Sequence, residues 1–168
     1  MKIPALRDLL RILKFEKNNT QITIRDQSEP FEVLGTPQTV PYLPLETYLS
    51  TKVLKMRDYP IGDSGIGIEI VVPDNLTYDF EYKDYLPDLE WLLSVLDLKL
   101  FNVKINSLEE GNVTTVYFGK YSDIRYFAVA DLLTGSIRSL DTDEENFLTI
   151  TVFKPGYIVY DRNCRKSQ

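Results

Sequence analysis

Histidine is absent from this chain of 168 residues, and only one cysteine is present. Without histidine the chain lacks the commonest general base, the commonest metal ligand and the usual switch near neutral pH. Because one cysteine cannot form a disulfide within the chain, a reducing compartment is expected, and the cytoplasm fits best. We therefore expect no catalytic histidine chemistry, no metal site and no cofactor.

The chain also lacks long apolar runs and an excess of positive charge. No segment approaches the roughly 20 apolar residues that cross a bilayer, and no secretory signal is evident. The formal net charge is −6, from 19 basic and 25 acidic residues. Phosphate binding depends on clustered Lys and Arg, so nucleic acid is not expected as the main partner. A basic protein partner would suit this charge better.

Helical spacing of apolar residues is clearest in a predicted core helix over residues 87–97. Its leucines recur at helical intervals, and Trp91 and Val95 add a second stripe, which leaves only a narrow polar seam. A helix that is apolar over most of its circumference must be covered by other elements. A shorter amphipathic helix is predicted at about 4–15, and a third over 45–56.

Short apolar stretches separated by turn residues follow the core helix. Strands are predicted at 99–106, 113–119, 124–131, 136–140, 147–153 and 157–160. Because short connections favour antiparallel neighbours, these strands predict a β-meander over 99–160. Earlier strands are predicted at 21–25, 66–72 and 78–82. We expect a single α+β domain over residues 1–168, with a mainly antiparallel sheet covered by two or three helices.

A proline-rich loop is predicted over residues 27–44, which hold four prolines and Gly35. Proline removes a backbone donor and fixes φ, so little regular structure is expected there. Long loops inside a compact domain are often functional, and this loop is one candidate surface for binding.

Two short motifs do not support catalysis or metal binding. The sequence Gly-Asp-Ser-Gly at 62–65 resembles the nucleophile segment of chymotrypsin-like serine proteases. That chemistry requires a histidine base, which this chain lacks, so we interpret the segment as a turn before a strand. The acidic stretch 141–146 has neither the Gly nor the Glu spacing of an EF-hand and is predicted to be a hairpin bend.

Acidic residues are concentrated between positions 74 and 110, where nine acids face three lysines, an excess equal to the whole formal charge of −6. Tyrosines lie among these acids, and Tyr offers a large contact area at low entropic cost. The candidate partner-binding residues are Tyr78, Asp79, Glu81, Tyr82, Asp84 and Tyr85. The alternative is that the aromatic rings belong to the core and the carboxylates only face water.

From these features we predict a non-enzymatic protein-binding domain. It would be either a subunit of a larger assembly or an acidic inhibitor, of the immunity type, that masks a basic partner. A small carboxylate-dependent hydrolase is the alternative, because two carboxylates facing one pocket can support acid–base chemistry. A ligand-sensing module also stays open. The oligomeric state is not indicated by the sequence.

Overall fold

The computed structural model describes residues 3–15, 20–27, 48–63, 65–73 and 86–156, together with the backbone of 32–35, 159–160 and 166–167. The described residues form an α+β domain, as predicted. The predicted strand 78–82 and most of the proline-rich loop 27–44 lie outside them.

Among the described residues, two α-helices contribute to the core. Helix α1 covers Leu6–Ile12, and helix α2 covers Leu89–Val95, so both are shorter than predicted. Asp88 caps α2, because its carboxylate accepts a hydrogen bond of 2.8 Å from the backbone N–H of Trp91. The side chain of Trp91 is buried, with 4% of its surface exposed, which confirms the placement expected of this core helix.

The first sheet contains strands β1 (Ile22–Asp26), β2 (Glu32–Gly35), β3 (Lys55–Ile61), β4 (Gly65–Val72) and β5 (Leu96–Asp97). Their spatial order is β2-β1-β4-β3-β5, with β1/β4 and β3/β5 parallel and the remaining pairs antiparallel. The helix predicted over 45–56 was wrong throughout its described part, residues 48–56, because 48–50 form a turn and Met56 belongs to β3, where it pairs with Ile70. Burial of Met56 against that strand outweighs the helical spacing of the segment.

The second sheet contains β6 (Asn102–Glu109), β7 (Asn112–Lys120), β8 (Ile137–Thr142) and β9 (Phe147–Phe153). Its order is β7-β6-β9-β8, and the central pair β6/β9 is parallel. The predicted meander was therefore wrong. The hairpin β6/β7 and the hairpin β8/β9 lie side by side, and β6 pairs with β9. Val103 and Ile105 lie next to Leu148 and Ile150, and all four are fully buried.

The prediction of a strand at 124–131, in the segment between the two hairpins, is wrong. This segment forms two 3₁₀ helices, η1 (Tyr121–Asp123) and η2 (Tyr126–Leu132). Farther along, β10 (Val159–Tyr160) and β11 (Lys166–Ser167) form an antiparallel pair. Buried residues of both large sheets and both α-helices belong to one hydrophobic cluster.

Asp58 of β3 connects the two sheets. Its carboxylate accepts backbone N–H groups from Lys99, Leu100 and Phe101 at distances of 2.7 to 3.2 Å. These residues immediately precede β6, so one side chain fixes where the second sheet begins relative to the first. Charge-assisted hydrogen bonds of this kind are the stronger class of polar contact.

Candidate interaction surface

The six residues predicted to bind a partner (Tyr78, Asp79, Glu81, Tyr82, Asp84 and Tyr85) all lie outside the described residues. Their role as a binding site stays a prediction. The proline-rich loop is described only at Gln27 and along the backbone of β2.

Several acids in the rest of the 74–110 segment have local structural roles. Asp88 caps α2. Asp97 lies 3.3 Å from Lys55 Nζ, and Glu109 lies 3.6 Å from Lys154 Nζ, which makes two surface ion pairs. These carboxylates therefore serve the fold of this chain, and they are weak candidates for attracting a partner.

Carboxylates also have a structural role at the bend between β8 and β9. The side chain of Asp143 accepts the backbone N–H groups of Glu145 and Phe147 at 2.9 and 3.0 Å. This is the hairpin bend that the sequence predicted. Within the described ranges, no three His, Cys, Asp or Glu side chains are grouped so that they could hold a metal ion.

The strongest candidate for a functional site is an edge of the second sheet. The β8 edge is covered by the chain itself: Lys14 donates its backbone N–H to Leu140 at 2.9 Å, and Ile137 donates to Pro87 at 2.8 Å. In the part of the chain that the structure describes, no strand or bridge pairs with the outer edge of β7. With nine residues, β7 is longer than any other described edge strand of the two large sheets.

Side chains along β7 are exposed on both faces of the sheet, and several are apolar. The exposed fractions are 55% for Val113, 39% for Val116 and 61% for Phe118. A long exposed edge with apolar side chains is a template for pairing with another strand. Such edges normally carry lysine or proline, but in β7 the only charge is Lys120, its last residue.

Helix η2 adds two large aromatic side chains next to this strand. Val129 and Leu132 are buried and anchor the helix, while Tyr126 is 51% exposed and Phe127 is 80% exposed. Helix η2 lies beside β7. We call the combined area the β7–η2 surface, defined by Val113, Val116, Phe118, Tyr126 and Phe127. Val113 and Phe118 lie on one face of β7, and η2 packs against the opposite face beside Thr114, so the β7–η2 surface borders both sides of the open edge.

A small cleft separates β7 from η2. Its volume is about 180 Å³, and its walls include Thr114 and Val116 on one side and Ala128 and Leu132 on the other. The lining is mixed, with both polar and apolar side chains, and it has the size to accept one side chain of a partner rather than a drug-sized molecule.

The position of Phe118 is fixed by contacts within the chain. Its ring stacks on Phe147, with centroids 4.5 Å apart and the planes at 23°. Lys104 Nζ lies 5.6 Å from both ring centroids, which is within the range of a cation–π contact. A side chain held in this way loses little conformational freedom on binding, so its burial contributes more fully to affinity.

Two tyrosines at the end of β7 are held as neutral hydrogen-bond donors. Burial raises the pKa of Tyr121, with smaller contributions from Tyr126 and Asp97. Its single hydroxyl proton is shared between the carbonyl oxygens of Leu93 and Leu96, which lie 2.8 and 2.7 Å from the hydroxyl oxygen. These carbonyls lie at the end of α2, where backbone acceptors lack helical partners. Tyr121 therefore ties the end of β7 to the core helix.

Tyr117 also donates its hydroxyl locally, to the carbonyl oxygen of Lys120 at 2.5 Å. Burial and the nearby Asp123 raise the pKa of Tyr117. The phenol is thus neutral near physiological pH and adds no charge to the β7–η2 surface.

A second concave area lies on the outer face of the first sheet. This hollow of about 460 Å³ is lined by Arg25, Lys55 and Arg57 among others. Both arginines contact Glu69, and Lys55 contacts Asp97, so local carboxylates offset much of the positive charge. The hollow is a weaker candidate for a functional site than the open edge.

Sequence reasoning predicted β7 as a strand but did not identify it as a binding surface. The only available signal was its pattern: residues 113–118 read Val-Thr-Thr-Val-Tyr-Phe, which does not alternate apolar and polar residues as a half-buried strand does. Whether a strand lies at the centre or the edge of a sheet depends on pairing, which this pattern does not contain.

Within the described residues, no helix has the length and apolar character to cross a membrane. Comparison of the chain with protein-family models, curated proteins and solved structures found no match.

Proposed function

We propose that this chain is a non-enzymatic protein-binding domain, and that it binds through the β7–η2 surface. The observation that supports this most directly is the outer edge of β7, where apolar side chains are exposed and no strand of the described residues pairs with the backbone. Addition of a partner strand to such an edge gives affinity through backbone hydrogen bonds and specificity through side chains.

The charge around this surface favours a subunit of a larger assembly over an inhibitor of a basic partner. Charged residues in or next to β7, η2 and the cleft between them are balanced: Lys104, Lys120, Arg125 and Lys154 against Glu109, Glu110, Asp123 and Asp131. A balanced rim around an apolar centre is the usual composition of a protein interface. Binding at this surface should therefore depend mainly on burial and only weakly on salt.

The function is tested with the full chain and two variants. Val113→Lys combined with Phe118→Lys places two charges in the β7–η2 surface, and Leu100→Lys is the matched control at another exposed apolar residue. Proteins captured from native lysate are quantified for all three forms. We expect the double variant to lose its stoichiometric partner, with binding weakened roughly tenfold or more, while the control retains it. Equal capture by all three forms would contradict this proposal.

The second possibility for a protein-binding domain is an acidic inhibitor of a basic partner, which would bind through the segment 74–85. Changing Asp79, Glu81 and Asp84 to their amides would then slow association and reduce its dependence on ionic strength. A matched control changes three exposed acids elsewhere, Glu90, Glu144 and Glu145, to Gln. Equal effects of both triple variants would indicate that only net charge matters and would remove this segment as a localised site.

A ligand-sensing module is favoured by one observation, the hollow lined by Arg25, Lys55 and Arg57, whose charge would suit a small anion. The carboxylate-dependent hydrolase has no comparable support among the described residues. Isothermal titration with inorganic phosphate measures the sensing function directly. Saturable binding that is lost in Arg57→Gln would support it.

A further inference from the structure

We propose that the strand that pairs with β7 is the β7 strand of a second copy of this chain, arranged antiparallel across a twofold axis. This inference rests on the proposed function, since it assigns a partner to the same surface. The two four-stranded sheets would then form one continuous eight-stranded sheet. A twofold contact of this kind uses the same residues on both copies.

The distribution of charge along β7 favours pairing with itself. The strand follows Glu109 and Glu110 and ends at Lys120, and residues 112–119 carry no charge. When two copies run antiparallel, Lys120 of one lies beside the Glu110 turn of the other, at both ends of the contact. Opposite charges placed across strands are favourable, and like charges are unfavourable. Parallel pairing would instead bring like ends together.

A β-bulge in β7 determines which residues can face each other. Ile105 pairs with Tyr117 and Asn106 pairs with Thr115, so Val116 is an additional residue without a partner on β6. Because of this extra residue, Val113 and Phe118 lie on the same face, although five positions separate them. That face is the one turned away from the fully buried residues of β6 and β9.

Only side chains on the same face can lie opposite each other across a pair of strands. An antiparallel contact between two copies can therefore place Val113 of one copy opposite Phe118 of the other, and the reverse. The same register places Thr114 opposite Tyr117. In this register the exposed Val113 side chain of one copy covers the exposed Phe118 side chain of the other. Registers that place polar side chains opposite each other would bury less apolar surface.

Sedimentation velocity over a range of concentrations tests the association. We expect the full chain to form a species of twice its 19.5 kDa mass. The variant Val113→Lys/Phe118→Lys should be monomeric, and the Leu100→Lys control should still dimerise. The melting temperature of each variant shows that the fold is kept. A wild-type chain that stays monomeric up to millimolar concentration would overturn the proposal.

Cysteine cross-linking tests the register. In a Cys164→Ser background, Val113→Cys/Phe118→Cys should form an intermolecular disulfide, since cross-strand Cβ atoms are about 4.5–5.5 Å apart. Within one chain the two positions are roughly 16 Å apart along the strand, so an internal bond cannot form. Each single-cysteine variant should remain uncross-linked. Cross-linking by Val113→Cys alone would indicate a different register and would contradict the one proposed here.

A charge-exchange experiment tests the same register without altering the apolar centre. Glu110→Lys and Lys120→Glu each create like-charge contacts in a homodimer, and each should weaken dimerisation roughly three- to tenfold. Mixing the two variants restores both complementary contacts, so a mixed dimer should form more readily than either homodimer. Equal stability of all three dimers would overturn the assignment of Lys120 to the Glu110 turn.

Failure of this inference is distinct from failure of the proposed function. The wild-type chain could be monomeric and still capture a different protein that the Val113→Lys/Phe118→Lys variant no longer captures. In that case the homodimer is wrong and the protein-binding function stands. If neither self-association nor capture of another protein depends on these two residues, both proposals are wrong.

Discussion

The two edge strands of the second sheet, β8 and β7, differ in whether other described segments of the chain form hydrogen bonds with them. At β8, the end of helix α1 and the residues before α2 supply backbone hydrogen bonds to Leu140 and Ile137. At β7, no described segment does so, and the side chains along the edge include Val113, Val116 and Phe118. An unpaired edge invites association, and proteins usually protect it. The contrast is that β8 is completed within the fold, whereas β7 has no partner strand among the described residues, which is the basis for our proposal that it binds a partner.

The largest effect is expected from uncovering the protected edge. Removing residues 3–15 deletes α1 and the residue that hydrogen-bonds to β8. The buried side chains lost are Leu6, Leu9, Leu10, Ile12, Leu13 and Phe15. At roughly 1.5–3 kcal/mol each, their burial is comparable to the whole stability of a domain, about 5–15 kcal/mol. We expect the truncated chain to show no cooperative thermal transition by circular dichroism.

The opposite outcome of this deletion is equally informative. A truncated chain that melts like the full chain, but has lost its partner, would identify α1 as a docking element. The difference between the two edges would then no longer hold.

A matched pair of aromatic residues tests the comparison at single positions. Trp91→Ala, in the helix next to the protected edge, should lower the free energy of unfolding by about 3–5 kcal/mol, because the side chain is buried. Phe118→Ala, at the open edge, should cost only about 1–2 kcal/mol, because it loses the stacking on Phe147 and the contact with Lys104 but little burial. Urea denaturation measures both. Since Trp91 is the only tryptophan, its emission should be blue-shifted in the native protein; emission like that of free indole would contradict its burial.

A smaller difference is expected between the two tyrosines at the end of β7. Tyr121→Phe removes hydrogen bonds to the end of α2 and should cost about 1 kcal/mol, whereas Tyr117→Phe should lie within about 0.5 kcal/mol. Burial raises the pKa of Tyr121 above 10.0, which means that the folded state favours the neutral phenol. Its contribution is therefore complete below pH 10 and is lost as the pH rises through the folded-state pKa.

Denaturation at a series of pH values measures this dependence. The wild type should be more stable than Tyr121→Phe by a constant amount up to about pH 9, and the difference should shrink above pH 10. A difference that grows with pH would contradict the role of the hydroxyl as a donor.

The smallest effect on stability is expected from charges placed at the open edge. Val113→Lys should change the free energy of unfolding by no more than about 0.5 kcal/mol, because the side chain is already exposed. The same variant should nevertheless weaken association. Thermal melting and sedimentation of one preparation measure both quantities. A large loss of stability in the monomer would mean that this edge is covered within the fold.

Local pattern predicted several elements well. The spacing around Trp91 predicted the core helix, and alternation predicted β4, β6 and β9 within a few residues. Pattern failed where pairing decides the outcome. Residues 124–131 have strand-like composition, yet most of them belong to the 3₁₀ helix η2, whose Val129 and Leu132 are buried in the core.

The candidate surface was missed for the same physical reason. An exposed Phe118 and a buried Phe101 have the same side chain, and only their neighbours in space distinguish them. The acidic segment 74–85, which composition alone singled out, stays a prediction.

The amino-acid sequence by itself determined the α+β class and the burial of the core helix, because composition and spacing are local properties. Only the tertiary structure decided that β6 and β9 are parallel neighbours, that β8 is covered and that β7 is open in the part of the chain that the structure describes. Strand order depends on contacts between residues far apart in the chain, where many pairings satisfy the same alternation of apolar residues. The competition among those pairings is settled by the packing of the whole core.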